Sequence, residues 1–197
     1  MKIIFGLLLS FALSILAGSY LLTAMAQAQD STSSSTVKVR LIGSNGLLTE
    51  PIAVPRVKKT DAEWRKQLTA EEYAIARGQG TEPAFCGTLL DNHREGIYHC
   101  VCCGLPLFAS DSKFNSQTGW PSFFQPLAKE NVVTRTDDSF GMRRTEILCA
   151  RCGAHLGHVF DDGPAPTGLR FCLNSAALTF VDKGKEVPEV FQSTPAK

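Results

Sequence analysis

Two copies of one short motif, Cys100-x-x-Cys103-Gly104 and Cys149-x-x-Cys152-Gly153, constrain this chain more than any other feature in it. In each copy the Gly permits the positive φ of a tight turn, so that two thiols are presented side by side. Four thiolates from two such turns fit the tetrahedral coordination of Zn²⁺ and leave no open position, which makes the ion structural. The 45 residues between the pairs exceed the usual spacing of a single zinc ribbon, so the site staples distant parts of a domain. On the residues alone a second reading stays open, in which the pairs are redox-active CxxC motifs or ordinary disulfides. Cys102 lies inside the first motif and competes for the metal, but the matched x-x spacing selects Cys100 and Cys103 as partners of Cys149 and Cys152.

The remaining chain sets the context for that site. With 197 residues there is room for a targeting segment, a linker and one domain with its own core. Lys and Arg number 20 against 19 Asp and Glu, and Lys2 is the only charge before Asp30, so the chain from Asp30 onward is balanced and carries no electrostatic footprint for nucleic acid. Lys2 precedes an apolar run from Ile3 to Ala17, and the small-residue pattern Ala24-Met25-Ala26-Gln27-Ala28 comes next, which reads residues 1–28 as an export signal. An uncleaved anchor is the alternative, because only weakly polar residues interrupt the stretch to Ala26. Both readings put the domain outside the cytoplasm, periplasmic or secreted, and tether it to a membrane only if the segment is retained.

Residues 29–59 are expected to form a flexible linker, with a low-complexity Ser/Thr run at 31–36 and a short apolar patch, Val37 to Ile42, that is not assigned as a strand. A helix is predicted after Thr60, whose cap precedes Asp61 and Glu63, and another after Thr69 in the capping box Thr69-Ala70-Glu71-Glu72. Beyond Glu82-Pro83 short apolar stretches alternate with turn residues: 96–98, 105–108, 131–136, 146–148, 169–173 and 176–181. This pattern predicts a mainly β domain over 60–185, followed by a Pro-containing tail over 186–197.

Seven cysteines leave at least one unpaired in any all-disulfide scheme. Arg170-Phe171-Cys172-Leu173-Asn174 alternates strictly, so a strand here points Phe171 and Leu173 to one face and Arg170, Cys172 and Asn174 to the other. A thiol beside a guanidinium has its pKa lowered toward the reactive thiolate. Packing in the core is the competing reading, since free Cys is among the most buried residue types. His155 and His158, which come after the second motif, are candidates for acid-base work or for structural hydrogen bonds, and Trp120 for a pocket wall or a packed surface turn.

Several segments together resemble the methionine-R-sulfoxide reductase family. They are Leu68 to Tyr73, Gly80-Thr81-Glu82-Pro83, Tyr98-x-Cys100-x-x-Cys103-Gly104-x-Pro106-Leu107-Phe108, Gly119 to Phe123, His155 to Pro164 and Pro166 to Leu178. The resemblance implies two antiparallel sheets with short N-terminal helices and a structural Cys₄ zinc away from the active site. It matches Cys172 to the catalytic nucleophile, Trp120 and Phe160 to the pocket that receives the substrate methyl, His155 and His158 to the polar group near the sulfoxide oxygen, and Arg170 and Asn174 to residues flanking the nucleophile. It implies reduction of methionine-R-sulfoxide, in oxidised proteins or free, through a sulfenic acid at Cys172 that a second thiol converts to a disulfide for a thioredoxin-like donor. The chain departs from a common family pattern at Thr118, where many members keep the resolving cysteine. Cys86 matches an alternative resolving position; Cys102 is the other thiol left over. Two further hypotheses stay in view: a zinc module that only binds, and a general disulfide exchanger.

Overall fold

The computed structural model describes residues 35–185, so the expected export segment and the tail lie outside the described residues. Backbone contacts divide the chain after Ser35, and the unit that begins at Thr36 holds every helix and strand among the described residues. Among those residues no helix is long and apolar enough to cross a membrane.

Both predicted helices are present, as α1 (Asp61–Gln67) and α2 (Ala70–Ala76). Each starts in a reciprocal capping box, Thr60 with Glu63 and Thr69 with Glu72, which satisfies two otherwise orphaned N–H groups per helix. α1 buries Trp64, whose ring lies beneath the Lys59 ammonium and the Arg77 guanidinium at 5.0 and 5.1 Å. α2 buries Ile75 and Ala76.

The strands are β1 (Thr36–Val39), β2 (Ile52–Pro55), β3 (Gly96–Cys100), β4 (Pro106–Ala109), β5 (Lys113–Phe114), β6 (Ser122–Phe123), β7 (Val132–Asp137), β8 (Arg144–Cys149), β9 (His155–Phe160), β10 (Arg170–Leu173) and β11 (Leu178–Asp182). They form a six-stranded sheet in the order β5-β6-β10-β9-β8-β7, a three-stranded sheet in the order β11-β3-β4, and the ribbon β1-β2, with antiparallel pairing throughout. The expected mainly β fold of two antiparallel sheets with short N-terminal helices is thus observed. The core fills the space between the sheets: Tyr98 and Phe108 of the smaller sheet meet Phe123 and Phe171 of the larger one, with ring centroids 4.9 Å apart for Tyr98–Phe123, 4.8 Å for Phe108–Phe123 and 5.7 Å for Phe108–Phe171. Such pairs add about 0.5–1.5 kcal/mol each beyond the apolar area they bury.

The ribbon corrects the expectation of a flexible linker over 29–59, from Thr36 onward. Val39 and Val54 are buried in the core, the Arg40 N–H donates to Asn131 Oδ1 (2.8 Å), and the Val57 N–H donates to the Arg151 carbonyl (3.1 Å). Asn131 is itself fully buried, and its Nδ2 donates to the carbonyls of Arg40 and Pro106. The apolar patch is too short to reveal a strand by itself; a distant Asn and Arg give it a place to dock.

β9 has no clear signature in the sequence, because Gly157 interrupts the pattern. A Cβ at that position would stand 2.0 Å from the Cys172 carbonyl oxygen, so only glycine lets β10 pair this closely along β9.

Candidate active site

The two Cys-x-x-Cys-Gly turns occupy equivalent places in different sheets. The first is the β3–β4 turn and the second the β8–β9 turn, each closed by a bond from the Gly N–H to the first Cys carbonyl (2.8 Å for Gly104, 2.9 Å for Gly153) with the Gly at φ 69°. The four sulfurs converge within 4.8 Å of one another, with Cys100–Cys152 at 3.6 Å and Cys103–Cys149 at 3.5 Å. A disulfide needs about 2.05 Å, whereas sulfurs at about 2.3 Å from a tetrahedral Zn²⁺ stand about 3.8 Å apart. The spacing therefore fits a cation held between the ends of both sheets. Cys102 is buried within the first turn, its carbonyl accepting a bond from Gln67 Nε2 (2.8 Å). The sulfur cluster thus joins segments that the long interval between the motifs separates in sequence.

A shallow cleft opens on the larger sheet, lined by Trp120, Arg144, His158, Phe160, Cys172 and Asn174 among others. Register explains its composition. Cys172 on β10 faces Ser122 on β6 and His158 on β9; His158 in turn faces Glu146 on β8, and Glu146 faces Arg135 on β7. Directly paired residues share a face with Cβ atoms about 4.5–5.5 Å apart, so one row across five strands runs from hydroxyl to thiol to imidazole to carboxylate to guanidinium. The alternation read from residues 170–174 holds: Phe171 and Leu173 are in the core, while Cys172 lines the cleft.

His155 and His158 lie three apart, which in a regular strand would put them on opposite faces. The register of β8 with β9 shifts between Ile147 and Leu148, whose partners are Gly157 and His155, so Leu156 is passed over in a bulge and the two rings meet at 5.5 Å. Only His158 lines the cleft. Its Nε2 donates to Asp137 Oδ2 at 2.7 Å, and the same oxygen accepts from Arg144 at 2.7 Å. Bonds from the Ser139 hydroxyl and N–H, then from His158 and Arg144, hold the Asp137 carboxyl well below the usual range. His155 sits behind, its Nδ1 donating to Glu146 Oε1 at 2.6 Å while Nε2 is buried without a partner. Burial pushes the His155 imidazole below its ordinary value, and Glu146 opposes the shift. Burial alone would raise Glu146; bonds from His155, Arg135 and Gln79 outweigh it and hold the carboxyl low.

At Cys172 the balance differs from the sequence expectation of a lowered thiol. Burial pushes it above the ordinary value, and the Arg170 guanidinium with the Thr118 and Ser122 hydroxyls recovers only part of that rise. Arg170 stands outside the cleft wall. It forks onto Asp162 at 2.8 and 2.9 Å and stacks 4.4 Å over the Phe160 ring, fixing that aromatic beside the thiol. Asn174 accepts from the Glu82 N–H (3.0 Å) and donates to the Leu156 carbonyl (3.2 Å), tying three segments at the cleft edge. Trp120 hangs from the same place: its indole N–H donates to the Glu82 carbonyl at 3.0 Å. The Glu82 side chain, 4% exposed, accepts from the Ser175 and Ala176 N–H groups at 2.6 and 3.0 Å.

Sequence reasoning places Glu82 and Ser122 within matching segments without giving either a role, and it misses Asp137, Glu146 and Arg144. Glu82 comes after a Gly and Thr at the end of the helical region, a weak local signal; the other four become visible only through strand pairing. Cys86 is exposed, next to an exposed Phe85 at φ 65°. The Phe85 N–H donates to the Gly119 carbonyl (2.8 Å), and a Cβ on Gly119 would crowd Ala84 and Phe85, so the 84–86 segment is seated on the loop that carries Thr118 and Trp120.

Residues 68–182 match the model of the SelR domain. A peptide methionine sulfoxide reductase MsrB of Hahella chejuensis is 58% identical over 125 residues, covering 64% of this chain and 90% of that protein. Proteins of the same name from Methanosarcina barkeri (49% over 140 residues; 70% and 99% covered) and Leptospira interrogans (56% over 124; 63% and 95%) are similarly close. With a matched cysteine cluster, a thiol-bearing cleft and relatives covered almost end to end, the chain belongs to the SelR-domain family of peptide methionine sulfoxide reductases, MsrB.

Proposed function

We propose that this protein reduces the R epimer of methionine sulfoxide in oxidised polypeptides, with Cys172 as the nucleophile. The observation that carries the reading is the placement of the Cys172 thiol directly beside His158 in a cleft walled by Trp120 and Phe160. A sulfoxide sulfur is a poor electrophile until its oxygen is protonated. The His158 ring, fixed by Asp137 through Nε2, leaves Nδ1 to present that proton. The Cys172 thiolate takes the oxygen as the S–O bond of the substrate breaks; one proton is consumed, and methionine and a Cys172 sulfenic acid result. The apolar rings take the methyl group.

The sulfenic acid then condenses with the Cys86 thiol, releasing water and leaving a disulfide that a thioredoxin-like dithiol reduces. Supporting Cys86 are its exposure and its seat on the Thr118–Trp120 loop, whereas Cys102 is buried at the sulfur cluster. Zn²⁺ bound by Cys100, Cys103, Cys149 and Cys152 supplies a cross-link between the sheets and no chemistry. Export, by cleavage after Ala26 or Ala28, places this repair outside the cytoplasm and is tested by N-terminal sequencing of the mature chain.

Cys172→Ser is expected to abolish R-sulfoxide reduction with any donor; activity that survives overturns the reading. Cys86→Ser is expected to stop thioredoxin-supported turnover after one equivalent of methionine, and undiminished turnover assigns resolution elsewhere.

A further inference from the structure

The loop between β5 and β6, together with the first residue of β6, gathers three hydroxyl groups beside the nucleophile. Ser122 is fully buried and is the direct β6 partner of Cys172, so its side chain shares the face of the thiol. Ser116 Oγ lies 2.7 Å from Ser122 Oγ and 2.9 Å from Thr118 Oγ1, which joins the three in one chain of hydrogen bonds. The chain ends on a fixed acceptor, the Trp120 carbonyl, 3.2 Å from Ser122 Oγ. Burial raises the Cys172 thiol, and after the Arg170 charge the Thr118 and Ser122 hydroxyls pull it back toward its ionised form.

We propose that Thr118 and Ser122 are catalytic residues of this site, donating hydrogen bonds to the Cys172 thiolate, and that Ser116 is a positioning residue that orients both. The inference rests on Cys172 being the nucleophile. The proton count supports it. Each hydroxyl has one hydrogen and can accept as well as donate. While Cys172 is a thiol, S–H donates to Thr118, Thr118 to Ser116, Ser116 to Ser122, and Ser122 to the Trp120 carbonyl. When the proton leaves, Thr118 and Ser122 rotate to donate to sulfur and Ser116 donates to one of them. Every hydroxyl keeps a hydrogen-bond acceptor in either state, and ionisation gives up only the Ser122 bond to the Trp120 carbonyl, so the array adapts to the charge on sulfur by rotating hydroxyls and needs no movement of the backbone. In a site where burial disfavours the thiolate, two donors offset that cost without adding a second full charge beside Arg170.

The family resemblance matches Thr118 to a position where many members keep the resolving cysteine. In this chain the position serves ionisation of Cys172, and resolution is left to a thiol outside the array.

The test is the pH dependence of Cys172 alkylation by iodoacetamide in the full chain, read by peptide-resolved mass spectrometry so that Cys86 is counted separately. The midpoint of the rate profile reports thiolate formation and requires no sulfoxide, so it stands or falls independently of the reductase reading. Thr118→Val, close in shape and lacking only the hydroxyl, is expected to raise the midpoint by about one pH unit. Ser122→Ala should do the same, Ser116→Ala should shift it by less, and Thr118→Ser should restore the parent midpoint. The rate at neutral pH is expected to drop by less than tenfold per variant, because a more basic thiolate is also more nucleophilic. An unchanged midpoint in both Thr118→Val and Ser122→Ala overturns the proposal. Should Ser122→Ala fail to fold, the Thr118→Val and Thr118→Ser pair decides the matter, since that loop position is only half-buried.

Discussion

Glu82 offers the most demanding test of how the cleft is held. Its carboxylate accepts the Ser175 and Ala176 N–H groups, its own N–H donates to Asn174, and its carbonyl anchors the Trp120 indole. Glu82→Gln keeps the backbone bonds and the shape but leaves one acceptor where two N–H groups point. One charge-assisted bond, of about 1.5–3 kcal/mol, becomes a neutral one near 1 kcal/mol; the other becomes a donor facing a donor, which costs about 1–3 kcal/mol. The sum is a loss of about 1.5–5 kcal/mol, or on the order of 3–20 °C in Tm for a domain of this size. Urea unfolding at neutral pH with zinc present should show the midpoint fall while the slope is unchanged. Because Asn174 and Trp120 are hung from the same residue, KM for the sulfoxide should rise more than kcat falls. A loss under about 0.5 kcal/mol would refute the view that this buried carboxylate holds the cleft together.

The acid side of the stability curve should show two steps. His155 has a folded pKa below its ordinary value, so its contribution is complete above about pH 6.5 and is lost as pH falls from there. Asp137, depressed by Ser139 and His158, contributes above the ordinary carboxylate range and is lost further down, as pH drops through its lowered folded value. In His155→Gln the first step should vanish from a plot of urea midpoint against pH; its persistence would assign that step to another group. His158→Ala is expected to cut sulfoxide reduction by about 10²–10⁴-fold at neutral pH while Cys172 alkylation continues, the signature of a lost proton donor; equal activity would remove His158 from the chemistry. Metal analysis should find about one zinc per chain. Stripping that zinc with a strong chelator should unfold the domain, with Cys100, Cys103, Cys149 and Cys152 becoming reactive to alkylation only then; free reactivity beforehand would favour the disulfide exchanger.

What the chain determined by itself is whatever depends on residues a few positions apart. Capping boxes at Thr60 and Thr69, glycine turns at Gly104 and Gly153, and the two-residue alternation around Cys172 are local devices, and all are present in the fold. The tertiary structure decided the partners. Asp137 meets His158, Glu146 meets His155 and Ser122 meets Cys172 because β6, β7, β8, β9 and β10 pair in one register, and a bulge at Leu156 turns two histidines to the same side. Such pairings join residues 9, 21 and 50 positions apart, on separate strands, and no local pattern encodes them: a shift of one residue in any strand would send its whole row to the other face. For the same reason the ribbon of residues 36–55, weakly patterned by itself, becomes ordered only where Asn131 and the core receive it.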